Sequence, residues 1–217
     1  KKVSLFEKVF LIVKDEELKQ RVREMLALAH VDTNQVHFII QKTNRSWMRD
    51  SGPIVVRKED GTREAIQFNF NGWAKYKNYQ LDKHIPAKVA SELNIPVTQA
   101  MYKGKHIVLE GGAIDVNGKG TLLTTEECLL HSNIQVRNPN FTREDYEAVF
   151  AEYLGIQQVI WLGDGIVGDD THGHIDDLCR FVDANTIVTV IESDKKDANH
   201  KPLQDNLKRL KSAKLQD

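Results

Sequence analysis

An excess of charge of either sign is what this sequence most plainly lacks. Thirty Lys and Arg stand against 31 Asp and Glu, a net charge of −1 with both signs interspersed. That balance gives no electrostatic reason to expect nucleic acid or an anionic membrane as partner. Long apolar runs are missing too. The longest unbroken aliphatic or aromatic run is Val9–Val13, far short of the ~20 residues a membrane span needs. Cysteine is scarce: Cys128 and Cys179 are the two present, without zinc-ligand spacing. A disulfide framework is thereby excluded, which favours a reducing compartment. No secretory leader is recognisable from Lys1 onward, so a cytoplasmic location is the expectation. Nor is there a Pro/Gly/Ser-rich linker or a low-complexity tract, so nothing marks a boundary between separate domains.

What is present is a chain of 217 residues, 41% hydrophobic and 28% charged, enough to bury a real core. Three acid-bearing signatures recur along it: Trp47-Met-Arg-Asp-Ser-Gly-Pro53, Glu110-Gly-Gly112 and His172-Gly-His-Ile-Asp-Asp177. Asp50 and Glu110 are 60 residues apart, and Glu110 and His174 are 64 apart. Each signature leads into a strand, a turn and a second strand. Near-regular spacing of this kind marks repeated supersecondary units. Side chains placed on equivalent connections would converge if the repeats closed around an axis.

The elements follow the same rhythm. Val9–Val13 reads as a strand, and 15–29 as an amphipathic helix capped by Asp15, with Leu18, Val22, Met25, Leu26 and Ala29 on one face. A strand over 36–40 feeds the first signature. Segments 53–58 and 63–70 form a hairpin around Asp60-Gly61. A helix over 81–93 has Pro86 in its first half, where a helix start suits it. Then come a strand over 97–102, a hairpin over 113–125 and a helix over 142–154 with Thr142 and Asp145 as a capping box. A strand over 158–162, a strand over 173–182 opening a hairpin to 191, and a helix over 202–211 complete the reading. Linked mixed α/β modules explain this order.

Each signature supports chemistry and also has a plainer role. Asp50 is either a binding carboxylate held at a strand edge or a turn-capping residue paired with Arg49. Glu110 ends the apolar run Ile107-Val108-Leu109. There it is costly to bury unless something pairs with it, or else it emerges into solvent at the two glycines. Gly111 and Gly112 let the backbone pass close to a ligand or another strand. In an extended strand His174 and Asp176 share one face, an imidazole beside a carboxylate that suits acid/base work. Trp47 can pack on an alkyl-guanidine stem, or it is simply core. His172, His174 and Asp176 also approach the His-x-His-x-Asp-His signature of zinc-binding metallo-β-lactamase-type hydrolases. Position 177 is Asp instead of the final His, and only His200 follows. The flanks of both cysteines are apolar, so they read as inert packing, and neither is nominated as a nucleophile.

Five motifs together resemble the agmatine deiminase and bacterial-type peptidylarginine deiminase family of the guanidino-group-modifying superfamily. They are Trp47-x-Arg-Asp-x-Gly-Pro53, Phe68-Asn-Phe-Asn-Gly-Trp73, Glu110-Gly-Gly112, Thr124-Thr-Glu-x-Cys-Leu-Leu130 and Gly173-His-Ile-Asp-x-Leu-Cys-Arg-Phe181. The resemblance implies an α/β (α+β) fold, a pseudo-fivefold α/β propeller of repeated ββαβ-type modules, here incomplete. It implies one deiminase-type domain over 1–217, truncated at the C-terminus and at the N-terminus. It implies hydrolysis of a guanidinium to a ureido group and ammonia, with no metal or organic cofactor. By resemblance, Asp50 and Asp176 bind the guanidinium, with Trp47 beside them, while Glu110 and His174 assist proton transfer. The family's nucleophile is a cysteine in a Gly-rich segment followed by His, near the C-terminus. Nothing here matches it, so the nucleophile is expected outside this chain. No basic residue stands out as a clamp for an α-carboxylate, which favours agmatine, giving N-carbamoylputrescine, as in putrescine and polyamine metabolism. Peptidyl-arginine or arginine as substrate, a non-catalytic guanidine binder, and the zinc-dependent hydrolase are the alternatives. The expected partner is a small guanidine, with homo-oligomerisation open.

Overall fold

The computed structural model describes residues 1–215. Near the start, β1 (Val9–Val13) and β2 (Val36–Ile40) pair in parallel, Val9 opposite Val36 and Val13 opposite Ile40. Parallel neighbours require a crossover, and α1 (Glu16–Leu28) supplies it. Asp15 is extended and caps α1, its Oδ1 accepting from the Leu18 N–H at 2.8 Å. The expected apolar face is only partly used. Leu18, Val22 and Leu26 are half-buried, whereas Ala29 is exposed and Met25 is 65% exposed. A sheet two strands wide offers room for little more than one i, i+4 row.

The first full unit opens with α2 (Met48–Ser51), a single turn. It leads into the antiparallel hairpin β3 (Ile54–Arg57) and β4 (Arg63–Gln67), and then α3 (Ile85–Leu93) crosses back to β5 (Val97–Gln99), parallel to β4. The helix expected from residue 81 begins at Ile85, after a 3-10 turn over Asp82–His84. Pro86 therefore sits in the first turn, where a missing N–H leaves nothing unpaired. The strand expected over 97–102 breaks at Ala100. Beyond it the chain leaves β4 and makes a second hairpin, β6 (Met101–Tyr102) with β7 (Lys105–His106). Lys103 and Gly104 turn it with φ of +49° and +74°, the left-handed pair of a type I′ turn.

The second unit repeats the first. A 3-10 turn (Gly111–Ala113) precedes the hairpin β8 (Asp115–Val116) and β9 (Thr121–Thr125). Then α4 (Glu126–Leu130) and α5 (Arg143–Leu154) cross to β10 (Gln158–Leu162), parallel to β9. The Thr142–Asp145 capping box starts α5 as expected. A further 3-10 turn (Ile175–Asp177) precedes the antiparallel pair β11 (Cys179–Phe181) and β12 (Ile187–Thr189), followed by α6 (His200–Ser212).

The strand expected over 173–182 is thus confined to β11. One carboxylate is the reason. Asp169 accepts hydrogen bonds from the N–H groups of Thr171 (2.8 Å), Gly173 (2.8 Å) and His174 (3.2 Å). The backbone curls around it, with φ +64° at His172 and +88° at Gly173.

A mixed α/β architecture results, its unit a helical turn, an antiparallel hairpin, a crossover helix and a parallel strand. The core grows around β9, whose five residues are all buried. Successive strand side chains face opposite ways. Leu122 accordingly packs with Ile66, Tyr146, Phe150 and Trp161. Its neighbour Leu123 packs with Ile160, Ile175, Leu178 and Leu203 on the other face. Both faces of the sheet are covered, and each such leucine contributes roughly 1.5–3 kcal/mol.

Between the two full units, the segment 107–109 runs buried towards Glu110. On one side it bonds to Asn69, which donates to the Ile107 carbonyl at 2.8 Å and accepts from the Leu109 N–H at 3.3 Å. On the other side a side chain takes the place of a strand. The Asn138 amide accepts from the Val108 N–H at 2.9 Å, donates to the Val108 carbonyl at 2.8 Å and reaches the Tyr146 hydroxyl at 2.9 Å. Asn138→Ala leaves both Val108 groups buried and unpaired, at roughly 1–3 kcal/mol for each. The urea midpoint is expected to fall accordingly. An unchanged midpoint would show that Asn138 is not the strut that carries Glu110.

Candidate active site

The three short turns that open the units occupy equivalent places, each just ahead of a hairpin, and they pack together. The α2 turn touches 111–113, and 111–113 touches 175–177. With them come Asp50, Glu110, His174 and Asp176. The His174 ring is at the centre and 2% exposed. Its Nδ1 is 3.8 Å from Asp50 Oδ1 and 3.7 Å from Asp176 Oδ1, and its Nε2 is 3.9 Å from Glu110 Oε2. His174 and Asp176 therefore do meet, but across a 3-10 turn instead of along a strand face.

Asp50 is held by two donors. Its Oδ1 accepts from the Gly112 N–H and its Oδ2 from Trp73 Nε1, both at 3.1 Å. Burial raises its pKa, and the neighbouring Glu110 and Asp176 add to that, partly offset by His174 and the Trp73 bond. The Gly-Gly pair is a steric requirement. A Cβ at Gly112 would lie 2.5 Å from His174 Nδ1 and 2.6 Å from Asp50 Oδ1, and one at Gly111 would collide with the Arg49 carbonyl.

Glu110 has no exposed surface. The partner its burial demands is Arg137, whose Nε lies 3.2 and 3.3 Å from the two carboxylate oxygens. The remaining Arg137 donors are also used, Nη1 on the Gln135 carbonyl at 3.0 Å and Nη2 on the Thr171 carbonyl at 2.6 Å. Burial by itself would raise the Glu110 pKa, but Arg137 and His174 outweigh it and hold the carboxyl below its ordinary value. For His174 the signs reverse. Burial opposes the imidazolium, and Glu110 and Asp50 outweigh burial, so its pKa is raised. Groups pushed in opposite directions within one cluster are the pattern of assigned acid and base roles.

Sequence reasoning missed Arg137 because an arginine in a polar stretch reads as solvated. The signal that could have found it was the unpaired carboxylate expected at Glu110. Trp73 belongs to one of the five motifs, but its role as a donor to Asp50 depends on a contact 23 positions away. Trp47 starts α2 and is 62% exposed, so it is not core. Asp176, 23% exposed, also lies 3.8 Å from Arg49 Nε.

Two further expectations change. The grouping of His172 with His174 and Asp176 does not form. His172 Nδ1 is 3.3 Å from Glu127 Oε1, and its ring stands edge-on to His131 at 4.9 Å. The Asp169-centred turn swings it away from the strand face on which the zinc reading relied. Cys128 is buried as expected, yet it is not remote from the polar groups. Its sulfur, a Glu110 oxygen and a His174 nitrogen all lie within 4.8 Å of one another. Burial pushes the Cys128 thiol up strongly, and Cys179, packed in the second core cluster, up to about 12. A cleft of about 760 Å³ is lined by Arg49, Gly111, Ile114 and Val55, but by none of the four clustered acid and base residues.

The cluster offers three carboxylates and an imidazole, an arrangement suited to a cation. Paired carboxylates hold a planar guanidinium especially well, through bidentate charge-assisted hydrogen bonds.

The chain is similar to proteins named as deiminases. Agmatine deiminase of Pseudomonas savastanoi pv. phaseolicola is 37% identical over 179 residues, covering 80% of this chain and 47% of that protein. Agmatine deiminase of Pseudomonas fluorescens is 35% identical, covering 87% of this chain and 50% of that protein. The chain thus spans about half the length of these relatives. Among solved structures, a substrate-bound agmatine deiminase of C. jejuni superposes with a TM-score of 0.82 at 34% identity, covering 97% of this chain and 59% of that one. Agmatine deiminase of Enterococcus faecalis also gives 0.82, at 28% identity, covering 96% and 55%. A profile of the Porphyromonas-type peptidyl-arginine deiminase family matches residues 1–217, and the chain belongs to that family.

Proposed function

We propose that this chain is the guanidinium-holding part of a hydrolytic deiminase acting on agmatine, releasing ammonia and N-carbamoylputrescine. The observation that carries the proposal is the convergence of Asp50, Glu110 and Asp176 on His174, each from an equivalent turn. In this reading Asp50 and Asp176 clamp the guanidinium, and the clamp holds its carbon still for attack. Glu110 stabilises the protonated ring of His174, which hands its proton to the departing nitrogen. Trp47, exposed at the start of α2, is assigned to the substrate's alkyl stem.

Agmatine is favoured over arginine and peptidyl-arginine because the arginines near the cluster are engaged. Arg137 is spent on Glu110, and Arg49 bonds the Ile114 carbonyl at 3.0 Å and neighbours Asp176. The names of the relatives support the same choice. The repeated unit, with its functional turn always ahead of the hairpin, is consistent with modules arranged around a pseudo-fivefold axis in one deiminase-type domain.

Attack on a resonance-stabilised amidinium needs an activated nucleophile. Both thiols here are buried and held protonated, so we assign the nucleophilic cysteine to a segment outside these 217 residues. Residues 1–217 alone are then expected to release no ammonia from agmatine. Turnover that disappears in Cys128→Ser would move the nucleophile to Cys128. Guanidine binding without turnover even in the whole protein would instead favour a non-catalytic binder.

Asp50→Asn puts an amide NH2 against one of two fixed donors, the Gly112 N–H or the Trp73 indole N–H. With Asp176→Asn it is expected to lower kcat/KM of the whole protein for agmatine by roughly 2–5 kcal/mol of transition-state stabilisation. Near-wild-type kinetics for both variants would remove them from the clamp. A panel of agmatine, arginine and peptidyl-arginine in the same assay decides the substrate.

The His174 titration is a separate check. A histidine whose pKa is raised on folding adds stability that is full below its unfolded value of about 6.5 and lost as pH rises through the folded value. Its ring signals in NMR are expected to titrate above 6.5 in wild type, and lower in Glu110→Gln, where burial loses its main opponent. A midpoint unaffected by Glu110→Gln would break the assigned pair.

A further inference from the structure

Outside the guanidine reading, one grouping has its own chemistry. Glu110, Cys128 and His174 present an oxygen, a sulfur and a nitrogen within 4.8 Å of one another, and each residue is at most 2% exposed. His174 Nε2 is a buried polar atom without a hydrogen-bond partner, 3.9 Å from Glu110 Oε2. A buried nitrogen left unpaired is costly, and a carboxylate oxygen and a thiol sulfur lie beside this ring. We propose that these three side chains form a binding site for a thiophilic divalent cation, with Zn2+ the best fit.

The donor set matches the ion. Zn2+ accepts Cys, His and carboxylate ligands together, at bond lengths of about 2.0–2.3 Å. Tetrahedral bonds of that length set ligand atoms roughly 3.3–3.8 Å apart. The three side chains therefore need to close by only about an ångström. Three protein ligands leave a fourth position for water. Mg2+ and Ca2+, which take oxygen ligands, do not suit a site with sulfur and imidazole.

The surroundings already orient the ligands. Thr125 Oγ1 accepts from the Cys128 N–H at 3.0 Å and donates to the Gly173 carbonyl at 2.6 Å, linking the cysteine turn to the histidine loop. Arg137 meets both Glu110 oxygens through one N–H, which leaves each oxygen a lone pair. The His174 nitrogen facing away from Glu110 lies between Asp50 and Asp176, the carboxylate support common behind a metal-bound imidazole. On binding, the thiol proton and any imidazolium proton pass to solvent, and Zn–S, Zn–N and Zn–O bonds form.

An ion held there would occupy the proposed proton-transfer pair and act as an inhibitor. That consequence rests on the deiminase reading, but the binding does not, and it can be read without activity. Residues 1–217 would be titrated with Co2+ and followed by the thiolate-to-cobalt charge-transfer absorption, with Zn2+ then added as competitor. One equivalent of Co2+ is expected to bind and be displaced by Zn2+. The band is expected to vanish in Cys128→Ser and to survive in Cys179→Ser. Glu110→Gln is expected to weaken Zn2+ binding by at least about ten-fold. Because a buried Cys128→Ser could perturb folding, NMR of the wild-type chain supplies a second reading, in which Zn2+ shifts the His174 ring signals. No charge-transfer band, a band that depends on Cys179, undiminished binding in Glu110→Gln, or unmoved His174 signals would overturn the proposal.

Discussion

The arrangement of this site depends on one buried ion pair, Glu110 with Arg137. A carboxylate without exposed surface stays ionised only when a cation and hydrogen bonds replace its water. Arg137 supplies the cation, and its other nitrogens anchor the carbonyls of Gln135 and Thr171. The same side chain therefore sets the charge on Glu110 and ties down the loop that carries His174. Because Glu110 is charged, His174 favours its protonated form. Because His174 tends to be charged, Asp50 keeps part of its anionic character against burial. The electrostatics of the cluster are a chain of dependence that begins at Arg137, whose nitrogens bond Glu110 and the carbonyls of Gln135 and Thr171.

Backbone packing imposes an equally strict condition. The three opening turns approach so closely that no side chain fits at Gly111 or Gly112. Asp169 winds the third turn tightly enough to force left-handed φ values at His172 and Gly173. Asn138 substitutes for a strand beside Val108, so the segment leading to Glu110 is bonded on both edges. Asp169 and Asn138 each hold a site-bearing segment by satisfying its backbone groups.

A compact group of acids around an imidazole can serve more than one cation. The Asp50 and Asp176 side suits a planar, delocalised charge with several N–H donors. The Glu110 and Cys128 side suits a small ion with a preference for sulfur. Both sides share His174, so the proposed guanidinium and the proposed ion would compete for one ring.

Much of this was legible in the chain itself. The repeat rhythm, the capped helices 16–28 and 143–154, the Asp60-Gly61 hairpin and the four clustered residues are all local patterns or spacings, and neighbouring residues suffice to set them. Glu110 at the end of an apolar run pointed to a carboxylate that needs a partner if buried, with emergence into solvent as the other reading. Which residue that partner is could not be read, because Arg137 lies 27 positions away and looks like any solvated arginine. The same limit hid the nearness of Cys128 to the site. It also hid the turn at 172–174, where a hydrogen-bonding Asp169 overrides an extended pattern, and the missing burial along α1. Sequence alone determined which chemistry-bearing residues recur at equivalent positions, since periodicity is a property of the chain. Only the tertiary structure decided which of them touch and which carry charge, because burial, and the ion pairs that offset it, exist only once distant segments are packed together.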